Sequence, residues 1–192
     1  MIFIGDQAWF YLSARDALLA GNLPLLGITS SIVWLHQGAI WTYLLAPALL
    51  FGDFNPVSGL VLSSLFSVFL IILMYFSSGL SGVLLLLALP LFWLNILMPY
   101  HTSPIPLFIL ITYLLFKKHR DFLFGLFLGL LYQLHLLTFV FWPLLILRLR
   151  LSTLLGFFLG LLPFIFVGPI QTFGIFIWLA KQILTGGSGI GG

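Results

Sequence analysis

Three stretches of this chain, Ser58 to Phe76, Leu80 to Met98 and Phe122 to Leu147, contain no Asp, Glu, Lys or Arg, and the last is 26 residues long. About 20 consecutive apolar residues are enough to cross a bilayer as a helix. Inside lipid, only helices and closed barrels satisfy their own backbone polar groups. The chain therefore reads as all-α and membrane-integral. Composition agrees, with 6% charged residues and a mean hydropathy of +1.25, against about a quarter charged in soluble domains. The net charge of +3 is read as topology information and not as a nucleic-acid signal, so no nucleic-acid partner is expected. Without cysteine, disulfides and thiolate sites are excluded.

Polarity is concentrated at the amino-terminal end, where Asp6, Asp16 and Asp53 are three of the four acidic residues. The spacing predicts a helix over about 7–20 with Asp6 as its N-cap, stopped by Gly21-Asn22 and Pro24. A loop is expected from Leu23 to Gln37, then a second helix from about Ala39 to Phe51 ending at Gly52. The first is too short and charged to span, the second too short, so both are expected to lie along the membrane surface. Spans are expected at about 58–76, 80–98, 104–116 and 154–167. Treating Phe122 to Leu147 as a hairpin of two short arms, turning at Gln133-Leu134-His135, brings Lys117 to Arg120 onto the same side as Arg148 and Arg150, as the positive-inside rule requires. The count is six crossings, with residues 1–57 an extracytoplasmic loop, 58–168 the bundle and 169–192 a flexible extracytoplasmic tail. By parity, Asp6, Asp16, His36, Gln37, Asp53, Asn55, His101, Gln133 and His135 then fall at one surface. Met1 to Ile4 has no basic n-region and reads as no signal peptide.

Several short segments carry a resemblance: Gly5-Asp6-Gln7-Ala8-Trp9-Phe10-Tyr11, Ala14-Arg15-Asp16, Leu25-Leu26-Gly27-Ile28-Thr29-Ser30-Ser31, His36-Gln37-Gly38, Tyr43 to Pro47, Asn95 to Pro99, Gln133-Leu134-His135 and Gly160-Leu161-Leu162-Pro163-Phe164. In order and spacing they resemble the polytopic, lipid-carrier-dependent glycosyltransferases of the GT-C class, the protein mannosyltransferase and aminoarabinose transferase group. The resemblance implies sugar transfer from a polyprenyl-phosphate-linked donor to a protein or glycolipid acceptor, outside a multi-pass prokaryotic cell membrane. It also implies that Asp6 is the catalytic carboxylate, and that a further span precedes this chain and more of the protein follows it. The chain departs from the family in having Gln7 where a second acid is frequent, Ala39 where proline is frequent, and no arginine ahead of Asn95.

Such a transfer needs a base for the acceptor hydroxyl and positive charge or hydrogen bonds for the departing phosphate. Asp6 is the expected base. Arg15 is a candidate for the donor phosphate, and Asp16, His36, Gln37, Gln133 and His135 are candidates for substrate binding. Each has a plainer reading: a helix cap for Asp6, a snorkelling side chain for Arg15, and an interhelical hydrogen-bonding pair for Gln133 and His135. Asp6, His101 and His135 are candidate ligands for a divalent metal, although no metal-binding spacing such as His-Glu-x-x-His is present. Two other classes fit the composition: a non-catalytic membrane subunit or inactive fragment, and a transporter or flippase. A transporter should carry its polar residues at mid-membrane, and here they gather toward one surface.

Overall fold

The computed structural model describes residues 5–30, 32, 34–97 and 100–184. Helix α1 (Gly5–Ala20) buries Phe10, Tyr11, Ala14 and Ala17, a three-to-four-residue spacing that puts them on one face. Gly21, with φ at 67°, ends it in the left-handed conformation favoured at helix C-termini. Helix α2 (Ile40–Phe51) turns Trp41, Thr42, Leu45 and Leu49 inward. Where a loop was expected between them, β1 (Leu26–Thr29) pairs antiparallel with β2 (His36–Gly38), Leu26 opposite Gly38 and Thr29 opposite His36. The close strand approach needs Gly27, because a Cβ there would lie 2.5 Å from the Gly38 carbonyl oxygen.

The chain then runs through α3 (Val57–Leu87), α4 (Pro90–Leu97), α5 (Ile105–Lys117) and α6 (Asp121–Leu134). A 3-10 segment (Leu136–Phe141), α7 (Leu144–Leu147), α8 (Leu151–Gly160), α9 (Leu162–Val167) and α10 (Pro169–Leu184) follow. Phe10, Tyr11 and Ala14 of α1 and the buried face of α2 form one apolar cluster with Phe108 of α5 and with Leu131 and Leu134 of α6. A second cluster joins Phe124, Leu128 and Tyr132 of α6 to Leu35, Phe157 of α8, Phe164 of α9 and Ile175 of α10. Helix α6 thus lies in both.

The closest packing is between α6 and α8, which run parallel. Gly125 and Gly129 face Gly156 and Gly160: a Cβ on Gly125 would stand 2.0 Å from the Thr153 carbonyl oxygen, and one on Gly156 2.0 Å from that of Phe122. Small residues four apart on both helices let the backbones touch. The turn at Gln133 to His135 is present. His135 is extended (φ −157°, ψ 125°), and the chain doubles back so that Arg150 meets Asp121 at 2.6 Å and Arg148 meets the His119 ring.

The polytopic bundle does not survive. Among the described residues only α3 is long and apolar enough to cross a membrane; the others reach 16 residues at most, about 24 Å at 1.5 Å per residue, against a hydrocarbon core of about 30 Å. The reason lies in breaks inside the apolar runs. The run expected over 80–98 divides ahead of Pro90, which opens α4; that over 122–147 divides at His135 and again at Pro143. The run over 154–167 divides at Leu161, with Pro163 in the first turn of α9, and closes at Gly168 with φ at 131°. Conversely, α3 continues past Phe76 to Leu87, kinked at Gly79 (φ 68°, ψ −166°), a conformation only glycine holds readily. With six crossings goes the parity argument that grouped the polar residues at one surface.

Two further expectations change. Helices α1 and α2 sit near their expected bounds, and one apolar face of each closes a core with α5 and α6, while Leu12, Leu19, Leu50 and Phe51 remain exposed. Residues 169–184, expected as flexible tail, form α10, held by Phe173 and Phe176 against Trp142 and by Gln171, which donates to the His36 carbonyl at 2.8 Å. The rest of that tail, residues 185–192, lies outside the described residues, as do Met1 to Ile4, Ser31, Met98 and Pro99.

Candidate functional site

Asp6 lies in the first turn of α1 with its side chain exposed. A carboxylate is stabilised there by the positive end of the helix dipole. It also accepts a hydrogen bond of 2.5 Å from the hydroxyl of Tyr100, 94 residues further along the chain. The loop between α4 and α5 delivers that hydroxyl and is itself fixed: the Tyr100 amide donates to the Ser103 hydroxyl at 3.1 Å, and that hydroxyl donates to the Asn95 carbonyl at 3.3 Å. The Tyr100 ring stands edge-on to Phe10, with centroids 6.5 Å apart. Burial, then the hydrogen bond and charge of Asp6, push the Tyr100 hydroxyl well above the usual phenol range, so it remains a donor across the physiological range.

His101 continues the line. Its ring lies 4.0 Å from that of Tyr100 and 5.2 Å from Phe10, centroid to centroid. It is 2% exposed, and neither ring nitrogen has a hydrogen-bond partner among the described residues. His135, the residue that ends α6, stacks on it almost parallel, at 8° and 5.6 Å. Burial first, then the neighbouring His135, lower His101 to about 3; burial also lowers His135. Both rings are therefore neutral at physiological pH. The Nδ1 of His135 accepts from the Leu137 amide at 3.2 Å, which leaves the other nitrogen as the protonated one. Asp6, His101 and His135 are thus brought into one continuous cluster by contact, with Tyr100 as the link.

Buried Gln133 and Gln37 and the half-buried His36 form an adjoining group. Gln133 is 2% exposed, and its side-chain amide donates to the Gly160 carbonyl, tying the end of α6 to the end of α8. Gly38 rests directly on it, since a Cβ there would lie 2.4 Å from the Gln133 Cβ. The Gln37 and Gln133 side-chain oxygens and the His36 Nδ1 are buried without a partner. This arrangement fits the plainer reading of Gln133 as a hydrogen-bonding tie between helices.

Arg15 and Asp16 stand apart from both groups. They pair with each other at 3.1 Å on the exposed side of α1, nine and ten residues from Asp6, or about 15 Å along the helix. Arg15 also borders an apolar cavity of about 290 Å³ lined by Ala8, Tyr11, Leu12, Leu49, Phe54 and Pro56. Tyr11 holds one wall by donating to the Pro56 carbonyl, and burial raises its hydroxyl to about 12. Gly59 makes room for it, because a Cβ there would be 1.8 Å from the Tyr11 oxygen.

Among the described residues no three of His, Cys, Asp and Glu gather closely enough to hold a metal ion. The three candidates Asp6, His101 and His135 are strung out through the Tyr100 ring, and the two imidazoles meet face to face. Comparison with protein-family models, curated proteins and solved structures finds no match.

Sequence reasoning passed over Tyr100 and Gln171. Tyr100 had one signal, its place directly before His101 in a Pro- and Ser-rich turn; Gln171 had none beyond being an uncharged polar residue in an apolar segment. The paired glycines at 125 and 129 and at 156 and 160 carried a small-xxx-small pattern that was there to be read.

Proposed function

We propose that this chain acts in glycosyl transfer, moving a sugar from a polyprenyl-phosphate-linked donor to an acceptor hydroxyl with Asp6 as the base. The acceptor oxygen attacks the anomeric carbon, the bond from that carbon to the phosphate oxygen breaks, and the acceptor's proton passes to the Asp6 carboxylate. The observation that carries the reading is the state of that carboxylate: exposed at the start of α1 and oriented by a hydroxyl from a distant loop. An exposed, positioned carboxylate is open to the hydrogen-bond approach of an acceptor hydroxyl that general base catalysis needs. Tyr100 is then a positioning residue, and the neutral pair of His101 and His135 supports its ring. Arg15, beside an apolar cavity, is the proposed partner of the donor phosphate, which requires it to exchange its pairing with Asp16. Helix α3 supplies membrane attachment near a lipid-borne donor.

The test is transfer from polyprenyl-phosphate mannose and from polyprenyl-phosphate aminoarabinose, each tried with the membrane-bound chain. Asp6→Asn keeps the size of the side chain and accepts the Tyr100 hydrogen bond but takes no proton, so turnover should fall by roughly 10² to 10⁴ while donor binding persists. Near-normal turnover in that variant removes Asp6 from the chemistry.

A further inference from the structure

Five of the chain's seven Lys and Arg residues fall in two short stretches, Lys117 to Arg120 and Arg148 to Arg150, with only one of its four carboxylates, Asp121, beside them. The fold brings these stretches together at one end. Arg150 is engaged by Asp121 at 2.6 Å. The Arg148 guanidinium lies 4.8 Å over the Phe116 ring and donates to the Phe116 carbonyl at 3.2 Å, so these two arginines join the stretches. The Lys117, Lys118 and Arg120 side chains are exposed and enter no ion pair among the described residues. The amino-terminal ends of the parallel helices α6 and α8 and the carboxyl-terminal end of α5 meet here, so their dipoles oppose one another and the positive charge of this end is that of its side chains. Around the cations stand Phe122, Leu123, Ile146, Leu147, Leu149 and Leu151, each between 41% and 74% exposed.

Exposed cations rimmed by large exposed apolar groups match one kind of partner well. The cations suit phosphate headgroups, and the rim suits the acyl boundary just beneath them. A nucleic acid would leave the aliphatic part of the rim in water, and base stacking calls for several aromatic platforms where the rim holds Phe122 alone. We infer that this end of the molecule docks on the anionic headgroups of a phospholipid bilayer, through Lys117, Lys118 and Arg120 with the surrounding leucines as shallow anchors. The inference stands independently of glycosyl transfer, since none of these residues belongs to the Asp6 cluster.

The experiment uses the purified full chain and bicelles of phosphatidylcholine alone or with about a third phosphatidylglycerol, binding being read by fluorescence of the chain's tryptophans. Insertion of α3 contributes equally to both compositions, so their ratio isolates the headgroup charge. Three cations at about fivefold each give a preference for the anionic bicelle of roughly a hundredfold, shrinking as salt is raised. The triple variant Lys117→Gln, Lys118→Gln, Arg120→Gln should lose most of that preference with an unchanged circular dichroism spectrum. Lys118→Gln alone should lose about fivefold, and Lys181→Gln, on α10, should retain the preference. Equal binding to both bicelles, or a triple variant that keeps its preference, overturns the inference. So does competition by inorganic phosphate at millimolar concentration, which would mark a discrete anion site, or by a short DNA duplex, which would mark a general polyanion surface.

Discussion

Tyr100 gives a helix-end carboxylate a fixed hydrogen-bond partner from a distant loop, and the consequences can be measured residue by residue. Tyr100→Phe keeps the ring against Phe10 and His101 and removes only the hydroxyl. The partly exposed bond to Asp6 contributes about 1 kcal/mol or less to stability, so the fold should hold, while transfer should drop by about tenfold as the carboxylate loses its orientation. Measuring turnover beside thermal stability separates the two effects. His101 gives a pH signature. Its folded pKa of about 3 lies below the usual imidazole value of about 6.5, so the unfolded state binds the proton more readily. Stability is then fully present above about pH 6.5 and is lost progressively as pH falls toward 3, by a few kcal/mol in all. His101→Phe should flatten that dependence in a pH series of thermal unfolding.

At the scale of elements, the α6 and α8 pair is the strictest feature. At Gly125 and Gly156 the obstructing atoms are backbone carbonyl oxygens, which cannot swing aside as a side chain would. Gly125→Ala or Gly156→Ala should therefore cost at least the about 1–3 kcal/mol typical of overpacking. Gly5→Ala, where a Cβ meets nothing within 4 Å, should change stability by less than about 1 kcal/mol. Chemical denaturation of the three variants in one detergent is the direct comparison. Because Gln133 is bonded to the Gly160 carbonyl and His135 lies two residues on, loosening this pair should also disturb the imidazole stack and lower transfer.

At the scale of the whole molecule, α3 is, among the described residues, the one helix long and apolar enough to cross a membrane. From Val57 to the kink at Gly79 it covers about 33 Å at 1.5 Å per residue, enough to cross a core of about 30 Å. Phe69 and Ile72 are exposed near the middle of that stretch. Phe69→Arg should oppose insertion by roughly 2.5 to 3.5 kcal/mol and shift the chain toward the fraction released by alkaline carbonate. Leu184→Arg, at a more exposed position at the end of α10, should leave membrane retention unchanged.

Local physical chemistry in the sequence was sufficient for α1 and α2, whose apolar spacing and closing glycines mark them out, and for the turn at Gln133 to His135, where polar residues interrupt an apolar run. Asp6 was singled out by the resemblance more than by its chemistry, and His101 and His135 only as candidate metal ligands, a set that the described residues do not gather into a metal site. Composition overreached in treating each uncharged run as one span. Hydropathy sums over a window, whereas the prolines at 90, 143 and 163 and the glycine at 168 break the backbone ladder inside it. What only the tertiary structure decided was contact over long separations. The Tyr100 hydroxyl reaches Asp6, and His101 lies against His135, because α1, the α4–α5 loop and the end of α6 pack around Phe10 and its neighbours. Local propensity acts over a few residues and carries no information about which loop will lie beside which helix; that is settled by how the apolar faces close on one another.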